Sequence, residues 1–286
     1  MKRASAATLL CMIFAASPAA AQLALPGAVA PSAPGTVEKV HSPRKAVKAA
    51  AATAAAYAPP GAATVIGRTL LLNGVNGQLQ FSGRAEALRI DRFTLVGEVI
   101  SDPKQQCRID VGGGTPIDAK SLGRPDGLLR FSADIPACPF EFDVLDGAVL
   151  APPQLRACVF QAADCQASPA GLWGPAGTAL QATAKPLEHA RALAEAAMTA
   201  NYRALDAKMK DRTKADDLAR DQARFSSDRA DVCRDYSHEA THNFCATRLT
   251  EARAAFLRAR IDEMPAEVAD KSPAPRPHKR KPKPAQ

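Results

Sequence analysis

Between residues 68 and 150 of the chain, large apolar side chains recur at every second position. Leu79 and Phe81 alternate in this way, as do Cys107, Ile109 and Val111, and again Phe140, Phe142 and Val144. A period of two turns one side of an extended chain toward a core and the other toward solvent. Turn chemistry separates the runs, in Asn73-Gly74, Asn76-Gly77, Gly112-Gly113-Gly114 and Pro125-Asp126-Gly127, residue types that accept tight or left-handed backbone. The pattern predicts about six to eight short strands closing on one another as a small antiparallel sandwich or barrel, placed at residues 61–182.

Beyond Lys185-Pro186 the period changes. Met198, Tyr202, Leu205 and Met209 follow one another at helical spacing, as do Leu218, Gln222, Phe225, Arg229 and Val232, and then Cys245, Leu249, Phe256 and Ile261. Each set is an apolar stripe along one side of a helix. Breaks are expected at 211–214 and 235–243, and Pro265 ends the last stripe. Three such helices, at residues 183–270, are expected to pack on each other as an antiparallel bundle. The fold class is therefore α+β, with two folded domains.

The ends have a different composition. Residues 1–21 open with Lys2 and Arg3, continue as an apolar run from Ala6 to Ala16 and finish in Ala19-Ala20-Ala21. This is the form of a secretory signal peptide, with cleavage expected before Gln22. Removing it takes away Cys11 and leaves Cys107, Cys138, Cys158, Cys165, Cys233 and Cys245. An even number of thiols in an oxidising compartment predicts disulfides. The expected pairing is nearest-neighbour: Cys107 with Cys138, Cys158 with Cys165, and Cys233 with Cys245. No other apolar run approaches the roughly 20 residues of a membrane span, so a soluble periplasmic or secreted protein is expected.

The formal net charge of +8 suggests nucleic acid until it is located. Residues 271–286 carry six Lys and Arg and no Asp or Glu, whereas residues 61–270 are net −3. The expected folded part is thus mildly acidic, and a nucleic-acid partner is not expected. Residues 22–60 and 271–286 are rich in Ala and Pro, and too poor in large apolar residues to offset ordering entropy, which predicts a disordered linker and a disordered tail. The basic tail is either a solvated end or a contact for anionic lipid headgroups or wall polymers.

Candidate chemistry is sparse. Cys233, His238, His242 and Cys245 form C-x4-H-x3-H-x2-C, four residue types that can bind zinc, but an oxidising compartment favours a disulfide between the thiols. His238 and His242 then become loop residues and candidate partner contacts. Trp173, the one tryptophan, is a third candidate contact, or else a loop residue tucked onto the core. Glu141, Asp143 and Asp146 could act as acid and base on a glycoside, yet their alternation with Phe140, Phe142 and Val144 is that of a solvent face. Nucleophile-elbow, phosphate-loop, dinucleotide and zinc-protease motifs do not occur in the sequence. A non-enzymatic protein with no cofactor and no metal is expected.

Tyr202-x-x-Leu205, Gln222-x-x-Phe225-x-x-x-Arg229-x-x-x-Cys233, Phe244-Cys245 and Thr250-x-x-Arg253 together resemble the family named for the lysozyme inhibitor LprI, small secreted bacterial domains. The resemblance is confined to the helical region. It implies structural roles for Tyr202, Gln222, Phe225, Arg229, Phe244 and Arg253, and a lysozyme-like glycosidase as partner, blocked by occlusion of its cleft. The alternative expectation is an envelope structural or adaptor protein held in place by its basic tails.

Overall fold

The structure is a computed structural model and describes residues 59–84, 87–154 and 156–264. The expected signal peptide, most of the expected linker and the expected disordered tail lie outside the described residues.

Eleven strands form one antiparallel sheet: β1 Thr69–Leu72, β2 Asn76–Arg84, β3 Ala87–Val99, β4 Gln106–Asp110, β5 Ile117–Gly123, β6 Arg130–Ala133, β7 Phe140–Leu145, β8 Ala148–Ala151, β9 Cys158–Phe160, β10 Cys165–Ala167 and β11 Gly171–Gly174. Eight of them close a ring in the order β1-β2-β3-β5-β6-β7-β8-β11, with β11 returning to β1. Three more, β4, β9 and β10, extend it beside the far half of β3. The expectation of six to eight strands in a sandwich or barrel is thereby corrected to a closed barrel with three strands added. Closure removes the edges of the ring, which open sheets must otherwise protect.

The interior is filled by side chains. Leu70, Leu79, Phe81, Phe93, Leu95, Phe131, Phe142, Val144, Val149 and Trp173 are each at most 1% exposed. Phe142 packs against Phe81 and Phe131 with ring centroids 5.3 and 5.6 Å apart. Phe93 sits between Phe140 and Trp173 at 5.0 and 5.8 Å. The indole of Trp173 donates to the Pro169 carbonyl at 2.8 Å, so its one polar atom is satisfied inside the core.

In β3, Leu88 and Ile90 are buried at even positions and Phe93 and Leu95 at odd ones. The register explains the switch: Phe81 opposes Ile90 while Gln80 opposes Arg92, leaving Asp91 as an extra residue. A bulge of this kind bends the strand and exchanges its faces. It lets one long strand serve both the ring and the extension.

Three disulfides are present: Cys107–Cys165, Cys138–Cys158 and Cys233–Cys245, with Cα separations of 5.8, 4.8 and 5.5 Å. The nearest-neighbour expectation is corrected for the four cysteines of the barrel. Cys107 lies opposite Gly97 in the β3 ladder and Cys165 opposite Val99. A Cβ at Gly97 would collide with the Gln166 carbonyl oxygen, so β10 can cross close to β3 there and bring Cys165 to Cys107. Cys138, just after β6, meets Cys158 at the start of β9. Closing loops of this length is worth about 3 to 4 kcal/mol per bridge in the chain-entropy account.

Four helices follow the barrel among the described residues: α1 Ala184–Lys208, α2 Arg212–Cys233, the single turn α3 Glu239–His242, and α4 Phe244–Glu263. The three-helix bundle expected from the sequence is therefore corrected, with α3 occupying what read as a loop. Asp211 caps α2 by accepting from the amide of Thr213 at 2.9 Å, as an N-cap carboxylate does. Helices α1 and α4 run side by side in the same direction, since Asn201 donates to the Ala254 carbonyl and Thr247 lies against Leu187. Helix α2 returns along α4, with Arg229 at Thr250 and Gln222 at Arg253.

The helices do not bury their core only among themselves. Leu128, Leu145, Ala148 and Leu172 on the outside of the barrel form one apolar cluster with Leu180, Leu187, Tyr236, Phe244, Cys245 and Leu249. This is why β7 and β8 are buried on both faces, unlike a half-solvated strand. Farther along, Leu205, Leu218, Leu257 and Ile261 make a core of helix against helix.

Gly177, which opens a short 3-10 helix after β11, fixes the approach of the two layers. A Cβ at Gly177 would collide with the Ser237 carbonyl, whereas one at Gly61 would meet nothing within 4 Å. Gly177→Ala is expected to lower the unfolding free energy by about 1 to 3 kcal/mol through overpacking, with Gly61→Ala as a near-neutral control. Urea denaturation of both variants checks this.

Candidate functional site

The region that carries the family resemblance is held by its own chemistry and by a seat on the barrel. Cys233 ends α2, Cys245 begins α4, and the segment between them turns down onto the β1–β2 corner. Ser237 donates its amide to the Asn73 carbonyl at 2.8 Å, and Gly177 donates to the Gly74 carbonyl at 3.1 Å. The Tyr236 hydroxyl donates to the Pro175 carbonyl at 2.7 Å. Side chains at Gly74 or Gly174 would meet Tyr236 at 2.9 and 2.6 Å. Burial, with the nearby Glu239 charge, pushes the Tyr236 phenol far above its ordinary range.

Within the hairpin, Glu239 accepts from the amides of Cys245 at 3.0 Å and Ala246 at 2.8 Å. A carboxylate at the start of α4 satisfies two otherwise unpaired donors and complements the helix dipole. Burial raises the Glu239 pKa above the ordinary carboxylate range, although both amide bonds pull it down. His242 is 1% exposed. Its Nδ1 must accept from the Phe244 amide at 3.1 Å, so Nε2 carries the proton and donates to the Ser237 carbonyl at 3.0 Å. Asn243, in left-handed backbone at φ 53°, turns the chain from α3 directly into α4.

These bonds settle the fate of the candidate contacts. Trp173 and His242 are buried and both are engaged by backbone; for Trp173 this is the alternative of a residue tucked onto the core, and neither side chain is presented at the surface. His238 stays exposed at the tip, beside exposed Arg234, Asp235 and Thr241. Both thiols of C-x4-H-x3-H-x2-C are in the disulfide and both His242 nitrogens are bonded to backbone, so these residues do not converge as metal ligands.

The remaining residues of the resemblance meet on the α2–α4 seam. Arg229 lies over the Phe225 ring at 5.4 Å and donates to Thr250 Oγ1 at 2.7 Å. Arg253 lies over Phe225 at 5.7 Å and Phe256 at 5.1 Å, and its Nε donates to Gln222 Oε1 at 3.2 Å. Gln222 in turn reaches the Met198 sulfur on α1 at 3.5 Å, and Tyr202 packs into the outer helical core. Two guanidinium groups thus bracket one phenyl ring, an arrangement that favours arginine over lysine. Burial lowers the pKa of both arginines. Phe244 packs against Tyr236 in the seat below, with ring centroids 5.6 Å apart and the planes tilted.

The three candidate carboxylates, Glu141, Asp143 and Asp146, have separate environments. Glu141 is exposed. Asp143 is only 8% exposed, which corrects its placement on a solvent face. It holds the cross-strand neighbour Arg130 through two bonds of 2.7 and 2.9 Å. Hydrogen bonding to Asp143, and its charge together with that of Asp126, holds the Arg130 guanidinium above its ordinary pKa. Asp146 pairs instead with Arg248 of α4 at 3.0 Å.

Two clefts flank these groups. One, of about 410 Å³, opens between the barrel and α1 and α4, where Arg68 and Asp146 face a floor of Leu180, Leu187 and Phe244. Arg248 reaches into this junction, stacked over Phe244 at 5.1 Å and bonded to Glu251 at 2.7 Å. The other, of about 830 Å³, runs over β5, β6 and β7 beneath Pro152 and Pro153, with Asp118, Asp134, Glu141, Lys120 and Arg156 around it. Apolar floors with charged rims suit the binding of a partner. The sequence shows Arg248 and Glu251 as an ordinary pair three apart on a helix; only the fold reveals them under the barrel.

Comparison of the chain with protein-family models, with curated proteins and with solved structures finds no match.

Glu239 gives a pH prediction. Its folded pKa lies above the unfolded one, so its contribution to stability is full below the unfolded carboxylate value and is lost as pH rises through the folded pKa. Between about pH 4 and pH 7, the wild type should lose stability relative to Glu239→Gln, which has no such titration. Parallel stability curves in chemical denaturation at several pH values would contradict it.

Proposed function

We propose that the chain is a non-enzymatic protein-binding module of the periplasm or the extracellular space, with a lysozyme-like glycosidase as its partner. The observation that carries this reading is the seam: Gln222, Phe225, Arg229, Thr250 and Arg253, the residues through which the sequence resembles the LprI-type inhibitors, touch one another in one constellation. The three disulfides fit maturation in an oxidising compartment. No helix among the described residues is long and apolar enough to cross a membrane. The exposed hairpin tip around His238 is the surface offered to the partner's cleft. Its backbone is fixed by the Cys233–Cys245 bridge and the barrel seat, so little ordering entropy is lost on association.

A second reading follows from charge. Six cations without a carboxylate in residues 271–286 would hold the protein near anionic wall or lipid as an envelope adaptor.

The test uses the chain from Gln22 to Gln286 and its tail-deleted form ending at residue 270. Saturable inhibition of lysozyme by both forms, lost on reduction of the disulfides, is the expected result. Absence of both binding and inhibition contradicts the inhibitor reading, and release of the tail-deleted form from envelope fractions would then support the adaptor.

A further inference from the structure

Strand β4 pairs with β3 alone among the described strands. Its inner bonds are fixed at both ends, by Val111 donating to the Phe93 carbonyl at 2.8 Å and Val99 donating to the Gln105 carbonyl at 3.0 Å. Bonded residues alternate in an antiparallel ladder. Cys107 and Ile109 therefore face β3 with their amides and carbonyls, while Gln106, Arg108 and Asp110 direct theirs to the open edge. The side chains of Gln106, Arg108 and Asp110 are exposed, and those of Cys107 and Ile109 are half-buried. Arg108 and Asp110 make no ion pair with any described residue.

We propose that two copies of the chain join along this edge, antiparallel, about a twofold axis through Ile109. In that register Arg108 of each copy stands opposite Asp110 of the other, and Ile109 opposite its own mate. The pairs Arg108–Asp110 fall on the residues whose amides and carbonyls point outward, so each exchanges two backbone bonds. The Ile109 pair falls at the non-bonded position, where side chains approach most closely. Moving the axis by one residue to Arg108 would set like charges against each other, so charge selects the register. A C2 interface must be self-complementary in this way.

Among the described residues, the turn that follows the edge is uncrowded at Gly113 and Gly114. The connection from β4 to β5 includes Gly112-Gly113-Gly114, and a Cβ at Gly113 or Gly114 would meet no atom within 4 Å. One short strand buries less than a standard interface, which places the dissociation constant on the order of micromolar or weaker.

Sedimentation equilibrium of the full chain at up to about 100 μM should show a monomer–dimer equilibrium. Arg108→Asp puts two carboxylates opposite each other twice and should weaken the dimer at least tenfold. The combined Arg108→Asp, Asp110→Arg exchange should restore it, and it doubles as the folding control for the single change. Asp110→Pro removes only an outward amide and should also give monomer. A monomeric wild type, a dimer indifferent to Arg108→Asp, or a folded double exchange that stays monomeric would each overturn the proposal.

Discussion

The structure depends on the seating of the Tyr236–Ser237 turn against the barrel. Three glycines, Gly74, Gly174 and Gly177, give up side chains where Tyr236 and Ser237 arrive. The bonds to Asn73 and Pro175 then fix the turn in place. Around these polar anchors lies a shared apolar layer in which Leu145, Ala148 and Leu172 of the barrel meet Leu187, Phe244 and Leu249 of the helices. Burial of that layer supplies the free energy, and the glycines set the distance at which it can form.

From this seat the rest of the helical region follows. Glu239 and His242 are spent on the start of α4 and on Ser237, the disulfide closes the same hairpin, and α2 is aimed back along α4. The seam of Phe225 between Arg229 and Arg253 forms because that direction has been set. The exposed tip at His238 is thereby presented on a base held by the disulfide and the barrel. The charged groups inside serve position and packing: Arg130 locks two strands through Asp143, and Arg248 ties α4 to Asp146 at the β7–β8 turn.

Much of this is legible in local periodicity, and the failures share one cause. Phe140, Phe142 and Val144 point inward as alternation requires, and the Cys233–Cys245 bridge follows from two thiols flanking a short turn. What sequence spacing cannot carry is which distant surfaces meet. The bulge at Asp91 reverses the faces of β3 without any glycine or proline to announce it. The absence of a side chain at Gly97 permits the Cys107–Cys165 crossing, a contact between segments 58 residues apart. Trp173 reads as a loop residue because Gly171, Gly174 and Pro175 surround it in sequence, yet it lies in a strand whose other face is roofed by helices. Asp143 and His242 read as exposed because nothing in their neighbourhood of sequence reveals Arg130 as a cross-strand partner or the barrel as a floor.

Native-state hydrogen exchange tests most directly whether barrel and helices are one cooperative structure. The amides of Ser237, Cys245 and Ala246 in the hairpin are to be compared with those of Val144 and Trp173 in the barrel. If the seat joins the layers, all five open with the same free energy and the same denaturant dependence, that of global unfolding. Exchange of the hairpin amides through a lower-energy opening, with the barrel amides still protected, would contradict the account.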